Sequence, residues 1–550
     1  MEKRFSDTYP QKWVQALLLL GFCLVLLFLN LGRWDLWNPD EPRYGQVARE
    51  MVQGGDWILM HFNGETYADK PPLFFWLIGL SSYLWGGFTS FAVRFPSALF
   101  GTLTVVLTFI LGQRLYGLRA GFLSGMVLAT SLEFAYLSTR ANVDATLAFF
   151  TTASLLCFFL WHRSRNGERG RQRTIKVLSI YGFYVGMALA TLTKGPVGFL
   201  LPLLVSLVYL IIQRDWKGMK EMRLFSGILL FLAIVLSWYL PAVLKGGKAY
   251  LNETLFHQTI GRYSKAWSHV KPFYYYLYNF PLQFLPWFLF LPAAMVYGYS
   301  KELVEKRKES LFLLIWFAVI FLFFSLSKGK RGLYLLPVYP AASLMVGKLW
   351  DDFISNPMDH FRREWTSFPL YAFMGLALLA GAAIPWVVST KFPSYLPYSL
   401  PIAFLMVGGS LAMFVLHRFK NHGAIFLLIT GMMAGGFFYT LRVVFPLVNP
   451  YKSARFICQE ITRQIQPGER LGLYGGFGSG PYNFHTGIVP ILELERKEDL
   501  LGFLRSSERV FCLLKFRDFS SFQSMDGRPA AQLISRRRVG DDDIVLISNW

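Results

Sequence analysis

The sequence predicts an all-α, polytopic membrane protein of about thirteen spans, followed by a small C-terminal α/β domain. Three observations carry that prediction. Apolar runs near the length of a bilayer core, roughly 20 residues, recur from Val14 to about Leu441. Basic residues collect in alternate short loops between those runs. From Asn449 onward glycine, charge and short apolar stretches return, the texture of a soluble domain. With 54% hydrophobic and only 16% charged residues, the 550-residue chain is too apolar to fold as a soluble globule.

In order along the chain, the first run, Val14 to Leu31, ends in Asn30-Leu31-Gly32-Arg33 without a small-residue cleavage site, so it is expected to stay as a signal anchor. The loop 34–92 follows. Within it, Leu73 to Trp85 is too short to span comfortably and suits an interfacial or re-entrant helix. Further spans are expected at 93–113, 120–138, 143–161, 177–193, 196–213, 224–243, 281–299, 311–326, 333–349, 369–389, 397–416 and 423–442. With Lys3, Arg4 and Lys12 inside, leaving Leu73 to Trp85 uncounted puts the basic loops around Arg163 to Lys176, Gln213 to Arg223, Lys301 to Lys308 and His417 to Lys420 on the cytoplasmic side. The net charge of +21 is thus topological; no single basic patch or stripe points to nucleic acid.

The expected domains are a membrane domain, 1–448, with outer loops at 34–92 and 245–280, and a soluble domain, 449–550. In the latter Arg455 to Ile465 has helical periodicity, and Leu471 to Tyr474, Val489 to Leu494, Val510 to Phe516 and Asp543 to Ser548 read as strands. Cys458 and Cys512 are either a disulfide pair or two buried small hydrophobes.

Under this topology the chemically active residues gather on the outer face. Asp40, Glu41 and Arg43 open the helix that follows Pro39; Asp40 could cap that helix or act as a base on an acceptor hydroxyl. Asp69-Lys70-Pro71-Pro72 puts Lys70 at headgroup depth, where an ammonium meets a lipid phosphate or simply snorkels. Arg140-Ala141-Asn142-Val143-Asp144 sets Asp144 at a span end, as a cap or as part of a polar constellation with Arg140. Lys194 ends the next span at a Gly195-Pro196 turn. The second long loop carries His257 and Arg262, and Ser327-Lys328-Gly329-Lys330-Arg331 followed by Tyr334 is a basic outer loop against the usual trend, suited to an anionic headgroup. The inner loops lack a Walker or G-x-G-x-x-G motif, which leaves a lipid-borne rather than nucleotide-borne donor as the natural substrate.

The ordered set Asp40-Glu41-Pro42-Arg43-Tyr44, Asp69-Lys70-Pro71-Pro72, Arg140 to Asp144, Leu192-Thr193-Lys194-Gly195-Pro196 and Ser327 to Lys330 resembles the GT-C glycosyltransferases, within the protein O-mannosyltransferase-like superfamily and nearest its bacterial aminoarabinose lipid A transferases. The resemblance implies transfer of a sugar from a polyprenyl (undecaprenyl) phosphate donor to lipid A or another envelope acceptor, at the periplasmic face of the bacterial inner membrane. It implies that Lys70, Arg262 and Tyr334 hold the donor phosphate, that Arg43 and Lys194 support it, and that Asp40, with Glu41 beside it, and Asp144 line the reaction cavity; Lys328 of the basic loop is a further expected phosphate contact. Asp69 and His257 match the family's divalent-metal pair, with aspartate standing where the family usually has glutamate. A protein O-mannosyltransferase or another envelope glycosyltransferase shares this chemistry. A transporter for a lipid-linked glycan is the reading from outside the enzyme class.

Overall fold

The computed structural model describes residues 9–165, 171–254, 269–355, 360–524 and 530–550. His257 and Arg262, two of the expected site residues, lie outside the described residues. The chain begins with α1 (Tyr9–Cys23), α2 (Asp40–Gly54), a short hairpin of β1 (His61–Phe62) and β2 (Glu65–Thr66), α3 (Leu73–Leu84) and α4 (Ser90–Tyr116). It continues through α5 (Leu118–Ala129), α6 (Leu132–Ser138), α7 (Val143–Ser164), α8 (Arg171–Lys194) and α9 (Val197–Ile212). Further long helices follow, among them Leu224–Asn252, Arg307–Leu326, Tyr339–Ser355, His360–Lys391 and Leu396–Arg418.

Among the described residues ten helices are long and apolar enough to cross a membrane, or up to twelve if each of two bent pairs is one span. The count of about thirteen expected from the apolar runs is therefore not confirmed, for two physical reasons. The run at 196–213 forms α9, whose 16 residues rise roughly 24 Å, short of a bilayer core. The runs at 120–138 and 281–299 are interrupted: α5 and α6 meet at 70°, and Tyr275–Gln283 meets Trp287–Tyr297 at 113°. Helix α3, at 12 residues, is shorter still, roughly 18 Å.

The chain divides into two compact units, one of Met1–Asn30, Asp69–Phe74 and Pro96–Thr440, the other of Leu31–Ala68, Phe75–Phe95 and Leu441–Trp550. The first is the helical bundle. Its helices approach closely where small residues face each other: a Cβ on Gly121 of α5 would lie 2.6 Å from the Phe109 carbonyl of α4 and 2.7 Å from the Gln113 nitrogen, distances only a glycine permits. Helices α7 and α8 pack antiparallel, so the ends of the bundle differ in chemistry. Asp144 and Lys194 mark one end; at the other, Arg165 pairs with Asp215 and with Glu221 at 3.4 Å, and Lys176 reaches Glu221 at 3.3 Å.

The second unit joins the first long loop to the C-terminal tail. The tail holds a five-stranded sheet of order β4-β3-β5-β7-β6, with β3 (Arg470–Tyr474) parallel to β4 (Leu492–Leu494) and β5 (Val510–Lys515), and β6 (Gln532–Val539) and β7 (Asp542–Ser548) antiparallel. Strand β6 escapes the sequence pattern because it is an edge strand whose Arg536, Arg537 and Arg538 are exposed. Two apolar clusters cover the sheet, one containing Cys458 and the other Cys512. The disulfide considered for these two residues is excluded: both thiols are free and buried in separate clusters, as small hydrophobes.

The tail is sewn to the first loop by named side chains. Asn63, at the turn between β1 and β2, donates from Nδ2 to the Ile491 carbonyl at 2.9 Å, while its Oδ1 accepts from the Ile491 nitrogen at 2.7 Å and from Asn483 Nδ2 at 2.8 Å. Trp37 Nε1 and the Asp35 nitrogen both donate to Asn449 Oδ1, at 2.9 and 3.1 Å.

Candidate active site

Within the bundle the turn before α7 is built by Asn142, whose Oδ1 accepts from the nitrogens of Asp144 and Ala145 at 3.0 Å each. Asn142 caps the helix, and that frees the Asp144 carboxylate from the capping role open to it in the sequence. Asp144 instead pairs with Lys194. That lysine is the last residue of α8, and the chain can reverse immediately after it because Gly195 takes φ +73 and donates to the Thr191 carbonyl at 2.7 Å. Both side chains are largely withdrawn from solvent, at 3% exposure for Asp144 and 11% for Lys194. The ammonium also lies 4.1 Å from the centre of the Tyr334 ring, a cation–π contact. Tyr334 meets the lysine with its ring face, and the ring is steadied by Phe324 at 5.7 Å.

The basic loop 327–331 is divided in its use of charge. Lys330 is buried, and its Nζ donates to the carbonyls of Lys271, at 3.1 Å, and Ser327; burial pushes this ammonium below its ordinary pKa. An isolated bridge between Val270 and Gly329 adds to the clasp. Lys330 thus ties the second long loop to this one, and Lys328 stays exposed. Tyr276 Oη donates to the Arg331 carbonyl at 3.1 Å from the same side. Asp69 and Lys70 adjoin each other, with Lys70 Nζ donating to the Asp69 carbonyl at 3.1 Å. Among the described residues no group of three or more His, Cys, Asp or Glu side chains could hold a metal ion.

In the second unit, Asp40 opens α2 without making a side-chain cap and pairs with Arg43 at 2.8 Å. Arg43 lies against Gly480 of the tail, where an added Cβ would stand 3.2 Å from the arginine's own Cβ. Glu41 is buried, and its two oxygens receive Arg94 Nε at 2.7 Å and Nη2 at 2.9 Å, with the Trp37 nitrogen donating at 3.0 Å. Glu41 therefore positions the helix start beneath Asp40. Arg94 was not singled out in the sequence; it lies inside a run read as a span, 53 residues from its partner.

A cleft of about 330 Å³ in the same unit is lined by Asp35, Arg455 and His485. Burial opposes the ionisation of Asp35, but hydrogen bonds from Asn449 and Ser453, with the charges of His485 and Arg455, hold its carboxyl below the usual range. Burial pushes His485 down to about 4. None of these three residues bears a local motif that would have marked it.

The dolichyl-phosphate-mannose-protein mannosyltransferase family model matches residues 13–249. The undecaprenyl phosphate-alpha-4-amino-4-deoxy-L-arabinose arabinosyl transferase 2 of Proteus mirabilis (strain HI4320) is 32% identical over 392 residues, 70% of this chain and 68% of that one. The corresponding transferase of Pseudomonas aeruginosa (strain PAO1) is 32% identical over 401 residues, 72% of this chain and 69% of its own length. The crystal structure of ArnT from Cupriavidus metallidurans bound to undecaprenyl phosphate superimposes with a TM-score of 0.82 at 22% identity, covering 98% of each chain.

The fold is that of the GT-C glycosyltransferases, and the protein is a multi-pass membrane enzyme that uses a polyprenyl-phosphate-linked sugar. More narrowly, the chain belongs to the family of undecaprenyl phosphate-4-amino-4-deoxy-L-arabinose arabinosyl transferases.

Proposed function

We propose that this enzyme moves 4-amino-4-deoxy-L-arabinose from undecaprenyl phosphate to lipid A, at the periplasmic face of the bacterial inner membrane. The observation that carries this reading is the buried Asp144–Lys194 pair beneath Tyr334, at the end of the bundle away from the basic cluster of Arg165 and Lys176. The positive-inside rule assigns the latter end to the cytoplasm and the pair to the periplasm. The names of the relatives supply the donor.

In this reaction an acceptor oxygen attacks the anomeric carbon of the sugar as the bond from that carbon to the donor phosphate breaks. Undecaprenyl phosphate leaves with the bonding electrons. Lys70, Arg262 and Tyr334 hold that phosphate, with Arg43, Lys194 and Lys328 in support, and the cations among them favour the departing phosphomonoester, which gains a second negative charge, over the singly charged phosphodiester. A lipid A phosphate is already an anion and attacks without a base; a hydroxyl acceptor would need Asp40. Asp144 keeps Lys194 in place, and Glu41 keeps Asp40 in place. Asp69 and His257 are the pair that would hold a divalent metal, a role tested by elemental analysis of the purified protein and by activity after chelation.

Mass spectrometry of lipid A from a strain lacking the protein tests the whole reading: the aminopentose increment is expected to vanish and to return with the gene. Unchanged lipid A, with purified enzyme that releases no undecaprenyl phosphate when given lipid A and donor, would overturn it. The mannosyltransferase model match favours one rival, transfer to a protein hydroxyl. Glycosylation of a serine- or threonine-bearing peptide in place of lipid A would select that reading, and movement of intact donor across liposomes without turnover would select transport.

A further inference from the structure

Glu133 stands in the first turn of α6, just past the break at Thr130 and Ser131 that separates α5 from α6. The break is held from a second interrupted pair. The Trp287 indole donates to Thr130 Oγ1 at 3.0 Å, and the Leu132 nitrogen donates to the Leu285 carbonyl at 3.1 Å. Interrupted helices persist at membrane depth only where protein covers them or where they line a wet cavity. An ionisable residue at such a place is costly unless it is paired or hydrated, and marks function when it is neither solvated nor spent on structure.

The Glu133 carboxylate makes no hydrogen bond or ion pair with any described residue. Its charged neighbours are Arg140 and Asp144, whose fields both reach it. Each of those is occupied elsewhere: Arg140 Nη1 donates to Tyr136 Oη at 2.6 Å, and Asp144 is held by Lys194. Two phenols, Tyr275 and Tyr339, feel the charge of Glu133, and the fully buried Tyr339 Oη has no hydrogen-bond partner among the described residues. Among the described residues a carboxylate and a phenol thus stand unpartnered, the carboxylate within the field of Asp144, in a setting that would reward a cation.

We propose that Glu133 receives the ammonium group of the transferred sugar, and that it is the residue by which this enzyme prefers an amino sugar to its neutral counterpart. The proposal rests on the aminoarabinose donor argued above. A neutral sugar with a hydroxyl in place of the amine would leave the carboxylate without its counter-charge. The missing charged hydrogen bond then disfavours the neutral sugar by about 10- to 100-fold.

The test compares two donors, undecaprenyl-phosphate aminoarabinose and undecaprenyl-phosphate arabinose, with purified full-length enzyme and lipid A. The native enzyme is expected to favour the amino donor by about 10- to 100-fold in kcat/KM. Glu133→Gln, nearly the same shape, should raise KM for the amino donor until that preference falls to about threefold or less. Its kcat should stay near the native value, and turnover of the neutral donor should be unaffected. Glu133→Asp keeps the charge at shorter reach and should retain part of the preference, which separates recognition from a folding defect.

Equal losses on both donors in Glu133→Gln, or an undiminished preference, would overturn the assignment while leaving the donor reading intact. A native enzyme that turns over neither donor would remove the donor reading, and the role of Glu133 with it.

Discussion

Arg94 spends all five of its guanidinium donors on one stretch of chain: two on Glu41, and the others on the carbonyls of Leu31, Trp34 and Asp35, at 2.7–3.0 Å. The Trp34 ring lies 4.3 Å from its Cζ. Truncating one partner of so buried a pair leaves the other charge stranded. Arg94→Met is expected to cost about 3–5 kcal/mol, and Arg94→Met combined with Glu41→Leu much less than the two single changes added together; thermal unfolding of the purified protein measures both, and simple additivity would count against the pairing. His485 gives a pH dependence of definite sign. Its folded pKa of about 4 lies below the unfolded value near 6.5, so between those values the unfolded chain binds more protons and stability rises with pH. Asp35, Arg455 and Arg49 are the charged groups around it, and the lowered carboxyl of Asp35 acts in the same direction only at lower pH. Melting temperatures are expected to fall as pH drops from about 6.5 towards 4, and His485→Gln should flatten that slope. The candidate site was legible at Asp144 and Lys194, where a polar residue meets the end of an apolar run. It was not legible at Glu133 or Arg94, which lie inside such runs and whose partners are distant in sequence.

At the scale of elements, hydropathy located nearly every helix but could not tell a straight span from a broken one. The runs at 120–138 and 281–299 have the length and composition of spans, yet each contains a bend fixed by contacts between the two breaks, such as Trp287 with Thr130. Strands β3, β5 and β7 announced themselves by buried apolar residues, whereas β6, with its three exposed arginines, was hidden by the polarity that suits an edge. Helix contacts that depend on the absence of a side chain are equally silent in hydropathy. Gly121→Ala should force α4 and α5 apart and destabilise the protein by roughly 1–3 kcal/mol. Gly431→Ala, with nothing within 4 Å of the new methyl, should be neutral or slightly stabilising. Melting curves of the two variants side by side decide this, and equal behaviour would refute the close approach.

At the scale of the whole molecule, composition and the alternation of basic loops were enough to read a many-spanning membrane protein, because both depend on sums over many residues, while the enzyme reading needed the ordered motifs from Asp40 to Lys330. That the tail and the first loop share one unit was beyond sequence, since Asn63, Asn483 and Asn449 are ordinary polar residues until they meet. The proposed orientation makes a direct prediction. In intact cells an impermeant thiol reagent should label Glu495→Cys in the tail and spare Lys217→Cys near the Arg165–Asp215 cluster, and the reverse pattern would invert the topology. The asparagine seam also sets a timetable for synthesis. Residues 31–95 leave the ribosome long before Leu441–Trp550, with the bulk of the bundle made in between. At about 5–20 residues per second the early loop waits on the order of tens of seconds for the segment that completes its hydrogen bonds. During that interval Asn63 and Trp37 lack their partners in the tail, and the second unit matures only once Leu441–Trp550 has been made.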